Sequence, residues 1–362
     1  MKLPKLTDFN FQNKTVLVRV DFDVPLRQAQ GKLLVEDESR IKAVLPTIEY
    51  LLKNQARVIL LGHLGRPEGK VMEELKMTPV VDKVKELFAA KLHITNPKIA
   101  LKIQDFPVYI LSENLWLLEN LRFFSGEEKN DDEFAKSLSL LGDFYVNEAF
   151  AASHREHASI VGITKFLPHC AGFNFIKEVE NLSKVLGNSQ KPLVFIIGGA
   201  KPETKLPLVE GLAAKADFVL VGGLLPKFSN IQYQISNIKN VLVAKLAADG
   251  LDIDAGSIKK FIEAIQTAGT IVWNGPMGKF EVPEGARGTK ETATAIAESS
   301  AFKVVGGGDT IAALNKYKLL SKIDFVSLGG GAMLEFLAKG TLPGIQAISN
   351  QSSAIRQKYT ED

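Results

Sequence analysis

The residues able to do chemistry gather where short apolar runs end. In the second half those runs end in glycine: Gly198-Gly199 after Leu193 to Ile197, Gly222-Gly223 after Phe218 to Val221, Gly275 after Ile271 to Trp273, Gly306 to Gly308 after Val304-Val305, and Gly329 to Gly331 after Phe325 to Leu328. Such turns let the backbone approach an anion, and N–H groups opening a following helix point at it with the helix dipole behind them. Repetition of the turn suits a polyphosphate, although a single Gly-Gly pair is more often only a tight strand-to-helix turn. No G-x-x-x-x-G-K-S/T run and no clean G-x-G-x-x-G fingerprint occurs.

Lys201 and Lys205 follow the first glycine pair, and a helix starting there would carry both on one face toward a phosphate. Gly308-Asp309-Thr310 offers a carboxylate and a hydroxyl at another helix start. They suit a magnesium-nucleotide site or a plain helix cap equally well.

First-half runs end in polar residues instead: Asp21 and Asp23, His63 and Arg66, Asn120 and Arg122, then Asn147 and, further on, Arg155. Seven of the nine arginines precede residue 160. Arginine binds phosphate and carboxylate bidentately, so an anion site is expected in this half. His154 to His157 invites a metal reading, but no other histidine or cysteine stands at a supporting spacing. Without a Ser-His-Asp or Cys-His arrangement, direct phosphoryl transfer is the better fit.

Positioning these residues requires alternating strands and helices, the pattern of parallel strands joined by crossover helices. First-half strands are expected at Val16 to Val20, Val58 to Leu61, Val108 to Leu111, Leu115 to Leu118 and Phe144 to Val146. In the second half Val241 to Ala244 joins the runs named above. Asn130-Asp131-Asp132 and Asp254 to Ser257 read as helix starts. With 362 residues, two domains are expected. The divisions read as a first lobe over 1–170, a linking helix over 171–187 and a second lobe over 188–345, with a tail of about 346–362 packing back on the first lobe. Composition is that of a globular protein, 46% hydrophobic and 23% charged, and a net charge of +3 argues against nucleic-acid or membrane partners. The start lacks an apolar signal core and no membrane-length apolar run follows, which reads as cytoplasmic. The single cysteine, Cys170, reads as a packed residue.

Taken in order, RVDFDVPL (Arg19 to Leu26), GHLGRP (Gly62 to Pro67), LLENLRF (Leu117 to Phe123), YVNEAFAASHREHAS (Tyr145 to Ser159), GGAKPETK (Gly198 to Lys205), TIVWNGPMGKFE (Thr270 to Glu281), GGGDT (Gly306 to Thr310) and GGGAMLEFL (Gly329 to Leu337) resemble the phosphoglycerate kinases across nearly the whole chain. The resemblance implies an α/β chain of two Rossmann-like lobes with parallel sheets, joined by an interdomain helix and hinge. It implies a monomer and a reversible transfer, in glycolysis, from 1,3-bisphosphoglycerate to ADP with Mg2+, giving 3-phosphoglycerate and ATP without a covalent enzyme intermediate. Asp21, Asp23, Arg40, His63, Arg66, Arg122 and Arg155 would bind the glycerate. Gly198, Gly199, Lys201, Lys205, Gly222, Gly223, Asn274, Pro276, Glu281, Gly306, Gly307, Gly308, Asp309, Thr310, Gly329 and Gly330 would bind the nucleotide, with Asp309 at the metal. Hinge closure would bring the ligands together, and Arg40, Lys201 and Lys205 would serve the transferring group.

Departures from the family pattern accompany the match. Asp23 stands in place of asparagine, Leu224-Leu225-Pro226-Lys227 in place of smaller residues, Lys279 in place of a small apolar residue and Leu328 in place of a hydroxyl residue. The stretch from Phe228 to Asp252 is a few dozen residues short, which would remove a helix near the base. They motivate one rival, a nonenzymatic interaction protein on a kinase scaffold. A nicotinamide-dependent oxidoreductase is a second, opposed by the missing dinucleotide fingerprint.

Overall fold

The computed structural model describes residues 3–29, 31–92, 94, 98–103, 105–228, 235 and 237–350. The chain divides into two compact units, 1–177 with 342–362 and 178–341. The expected tail beyond residue 350, and residues 229–234 and 236 of the shortened stretch, lie outside the described residues.

In the first unit the strands are β1 (Thr15–Arg19), β2 (Leu26–Ala29), β3 (Lys32–Val35), β4 (Arg57–Leu61), β5 (Lys98–Ile103), β6 (Phe106–Ser112), β7 (Leu115–Leu118), β8 (Phe144–Asn147) and β9 (His169–Ala171). The hairpin β2–β3 stands apart from a sheet ordered β5-β6-β7-β4-β1-β8-β9. Central strands are apolar on both faces because helices cover both sides. Along β1 and β4, Val16, Val18, Val58 and Leu60 enter one core while Leu17, Ile59 and Leu61 enter the other.

The expectation of parallel strands fails at one edge, where β6 runs antiparallel to both β5 and β7. Only Glu113 and Asn114 separate β6 from β7, too short a link for a parallel crossover. The core strands β7, β4, β1, β8 and β9 are parallel throughout.

The second unit holds β10 (Leu193–Ile197), β11 (Phe218–Val221), β12 (Val241–Val243), β13 (Thr270–Asn274), β14 (Phe302–Gly306) and β15 (Phe325–Ser327). They are ordered β12-β11-β10-β13-β14-β15 and every described pairing is parallel. Chain order reverses beside β10 here and beside β1 in the first unit. Crevices beyond the strand ends at such reversals are where open α/β sheets bind ligands.

Helix starts follow the cap residues. Asp131 accepts from Phe134 N at 2.8 Å and Asp254 from Ser257 N at 2.7 Å. Helix Phe173–Asn188 carries the chain across the division between the units. Helix Pro343–Ser349 returns to the first unit, where Gly344 N donates to Ser153 O at 2.9 Å. Among the described residues no helix is long and apolar enough to cross a membrane.

Candidate active site

In the first unit the polar cluster forms just past the end of β1. The Asp21 carboxylate is buried and its Oδ2 meets Arg40 Nη1 at 2.9 Å; the same nitrogen donates to Asp23 O at 2.7 Å. Burial pushes the Asp21 pKa up, and the Arg40 guanidinium opposes it. Asp23 Oδ1 accepts Gly65 N at 2.9 Å, and its Oδ2 lies 3.8 Å from His63 Nε2. Acceptance at Oδ1 is open to an asparagine as well, so aspartate preserves this tie to the His63 loop.

His63 is buried, and Arg19 Nη2 approaches its Nδ1 at 3.0 Å. Burial, helped by the cations Arg19, Arg122 and Arg40 and by His157, holds its pKa well below the ordinary value. Arg122 follows the end of β7 and donates from Nη1 to Gly65 O at 2.7 Å, with Nε 3.4 Å from Glu128. Arg155 is half-buried beside His154, 3.3 Å from Nε to Nε2, and close enough to Arg122 to depress its pKa after burial and against Glu128. Arg66 is exposed next to Gly65. Thus Asp21, Asp23, Arg40, His63 and Arg122 are tied together, while Arg66 and Arg155 stand at the margin.

The sequence reading missed what holds this cluster from beneath. Arg19 is fully buried, its Nε donating to Ser159 Oγ at 2.7 Å. Glu127, also fully buried, accepts from Ser159 N and Oγ at 2.9 and 2.6 Å, and lies 3.9 Å from Arg19 and 3.8 Å from His157. Burial, with Arg122, Arg19 and Arg155 nearby, drives His157 to a pKa of about 3. The available signal was a charged residue closing an otherwise apolar strand, since such a residue needs buried partners.

In the second unit the glycine turns after β10, β11 and β13 touch backbone to backbone. A Cβ on Gly198 would sit 2.2 Å from Pro276 O, and one on Gly223 would sit 2.4 Å from Gly199 N. Gly199 N donates to Pro276 O at 2.8 Å, and Gly222 N to Ile197 O at 2.9 Å. Lys201 is exposed at the N-terminus of helix Pro202–Ala213. Lys205, one turn in, donates to the carbonyls of Gly198 and Asn274. Burial lowers its pKa to about 8, opposed by Asp309 and reinforced by Lys201.

The β13 and β14 turns are cross-linked by side chains. Asn274 Nδ2 donates to Gly306 O at 2.9 Å and to Gly330 O at 3.3 Å. Gly307, with φ of +98°, opens helix Gly308–Lys316, and Gly330, with φ of +52°, opens helix Gly331–Lys339. Gly329 N donates to Ser327 Oγ at 3.1 Å. Thr310 is buried and its Oγ1 accepts Gly275 N at 2.7 Å, whereas Asp309 is exposed in the first turn. Glu281 lies exposed on the loop after β13. The site is thus a row of backbone turns with one half-buried lysine behind them, an arrangement suited to phosphate.

The family model described as phosphoglycerate kinase matches residues 6–248 and 226–340. The two matches overlap over 226–248, which covers most of the stretch read as shortened. The phosphoglycerate kinase of Moorella thermoacetica is 39% identical over 392 aligned positions, covering 96% of this chain and 99% of that protein. That of Finegoldia magna is 38% identical, covering 97% and 100%. Among solved structures, phosphoglycerate kinase from Coxiella burnetii superposes with a TM-score of 0.76 at 33% identity, covering 97% of this chain and all of that one. The Pyrococcus horikoshii enzyme gives 0.78 at 32%, covering 98% and 99%. A chain whose two clusters suit an anionic acid and a polyphosphate, and which matches from end to end, belongs to the phosphoglycerate kinase family, glycolytic phosphotransferases that use ADP and ATP.

Proposed function

We propose that the cluster beyond β1 holds the glycerate and that the glycine turns beyond β10, β13 and β14 hold the nucleotide. The observation carrying this reading is that each cluster lies where chain order reverses in its own sheet. Asp21 accepts from the substrate hydroxyl, held in place by Arg40. Neutral His63 donates from Nε2, while Arg66, Arg122 and Arg155 take the carboxylate and the nontransferred phosphate. Asp23 fixes the loop between them.

On the nucleotide side, the N–H groups at Gly223, Gly307 and Gly308 face phosphate or base, while Gly198, Gly199 and Gly222, whose own N–H groups donate to the carbonyls of Asn274, Pro276 and Ile197, let the backbone come close to it. Asn274, Pro276, Gly306, Gly329 and Gly330 shape the floor, and Glu281 takes the ribose. Lys201 and Lys205 bind phosphate oxygens, and Arg40 and Lys205 stabilise the charge on the transferring group. No side chain is a covalent carrier.

Magnesium fits these residues. Asp309 is exposed at a helix start beside Lys205, and among the described residues no group of three or more His, Cys, Asp or Glu forms a cage of its own. A single carboxylate suits an ion whose other ligands are phosphate oxygens and water. Bound with the nucleotide, Mg2+ offsets phosphate charge. A cytoplasmic monomer is what membership of the family implies, and a net charge of +3 is too small to argue for nucleic-acid or membrane partners.

The test is ATP formation from ADP, Mg2+ and 1,3-bisphosphoglycerate on pure protein, paired with calorimetry of Arg122→Lys. The lysine variant should bind 3-phosphoglycerate weaker by roughly 1 to 3 kcal/mol with ADP binding unchanged, because a point charge loses the bidentate geometry. Equal weakening of both ligands in a folded variant would contradict the division of labour.

A further inference from the structure

We infer that Asn120 is a positioning residue for the glycerate site, acting through the loop that carries His63 and Arg66. Asn120 is fully buried at the end of β7. Its Nδ2 donates to Leu64 O at 2.7 Å and to Leu75 O at 2.9 Å, the two ends of the loop. Its Oδ1 accepts Arg122 N at 3.1 Å. One amide therefore pins both ends of the loop and orients the residue whose guanidinium donates to Gly65 O at 2.7 Å.

Each polar atom of the side chain has a distinct task. Both hydrogens of the amide nitrogen are committed to carbonyls, and the oxygen is committed to a backbone N–H. No other side chain of this size offers two donors and one acceptor in that arrangement. Glu119 fixes Asn120 in turn, its Oε1 accepting from Asn120 N and Met77 N, both at 2.8 Å, and its Oε2 accepting from Tyr109 OH at 2.8 Å. Below the loop, Gly65 is tied to Asp23 and Arg122, so the loop is held from the β1 side and from the β7 side independently.

Asn120→Asp keeps the shape and the acceptor but sets a carboxylate oxygen against two carbonyl oxygens. The loop must move away, carrying His63 and Arg66 with it. A group held slightly out of place costs substrate binding far more than it costs the nucleotide site carried by the other unit.

The inference rests on the assignment of this cluster to the glycerate, and the experiment separates the two. Steady-state kinetics of the full chain compare Asn120→Asp, Asn120→Ser and Arg122→Lys with the parent. The serine variant loses the two-donor clamp without adding charge, and it stands in if the aspartate variant does not fold. Both Asn120 variants are expected to raise the KM for 3-phosphoglycerate about tenfold or more, as for loss of buried hydrogen bonds, with the KM for ATP within about twofold. Unchanged KM with only a lower melting temperature or a smaller active fraction would make Asn120 purely structural and overturn the inference. A rise for aspartate but not for serine would assign the effect to charge and overturn it too. Should Arg122→Lys also leave the KM for 3-phosphoglycerate unchanged, the site assignment itself fails. Independently of any variant, hydrogen exchange on the unliganded parent should show the Gly65 and Gly69 amides protected like those of β7, and exchange at open-loop rates would count against a preformed loop.

Discussion

The Nη2 of Arg19 lies 3.0 Å from the Nδ1 of His63, with both side chains buried. A guanidinium only donates, so Nδ1 is the acceptor and the ring proton sits on Nε2. The imidazole is neutral because burial and the surrounding cations oppose its charge. The cluster beyond β1 thereby presents a hydrogen-bond donor without a further cation.

Neutral His63 has a consequence for acid stability. Its folded pKa lies below the ordinary 6.5, so in acid the unfolded chain binds a proton that the folded chain refuses. Its stabilising contribution is present above that pH and is lost as pH falls below it, at roughly 1.4 kcal/mol per pH unit. Urea unfolding of parent and His63→Gln between about pH 7.5 and about pH 5.5 should show a smaller loss in the variant, by about 1 kcal/mol. Equal losses would mean that the ring is charged in the folded protein.

Lys205 should set the alkaline limb of activity. Its burial against the Gly198 and Asn274 carbonyls lowers its pKa to about 8, so the free enzyme loses this charge as pH rises through that value. The pH profile of kcat/KM for the nucleotide should fall there, since that ratio reports the free enzyme. Lys205→Ala should remove the limb and lower kcat by about 100-fold or more, as loss of a preorganised charge stabiliser does. Turnover within threefold of the parent, with a raised KM, would leave Lys205 as a binding residue alone.

Asp23→Asn tests the extra negative charge beside an anion site. The amide keeps the acceptor for Gly65 N while removing the charge 3.8 Å from His63. The KM for 3-phosphoglycerate is expected to fall a few-fold, in keeping with the ~1 kcal/mol or less that a partly exposed charge is worth. A rise would show that Asp23 Oδ2 does more for the substrate than repel it.

The shortened stretch should loosen recognition of the base and spare recognition of the phosphates. Lys201, Lys205 and Asp309 lie outside 226–248, where the two family matches overlap. Loss of one apolar wall removes only ~1 to 3 kcal/mol of discrimination, so ADP and GDP are expected to give kcat/KM values within about tenfold. Kinetics with both nucleotides at saturating acyl phosphate measure this. A preference for ADP above a hundredfold would mean that other residues, Leu224 and Leu225 among them, rebuild the wall.

What the sequence by itself determined are most of the sheet strands, though not β5 or β9, and the chemistry at their ends. Runs such as Leu193 to Ile197 are legible because a parallel strand covered on both faces is apolar throughout, and glycine or charge marks where the cover stops. The helix starts at Asn130-Asp131-Asp132 and at Asp254 to Ser257 were legible because the signal is local, and the structure selects Asp131 and Asp254 as the caps. Tertiary structure alone decided which polar residues meet. The hairpin β2–β3 lies mostly at the surface and shows no clean apolar alternation, and the reversed direction of β6 depends on strand pairing. Arg19 finds Ser159, Asn120 finds Leu64 and Leu75, and Thr310 finds Gly275, partners separated by 140, 56, 45 and 35 positions. A buried polar group must be satisfied, but the demand leaves no periodicity in the chain, and only the folded backbone says which donor is brought to which acceptor.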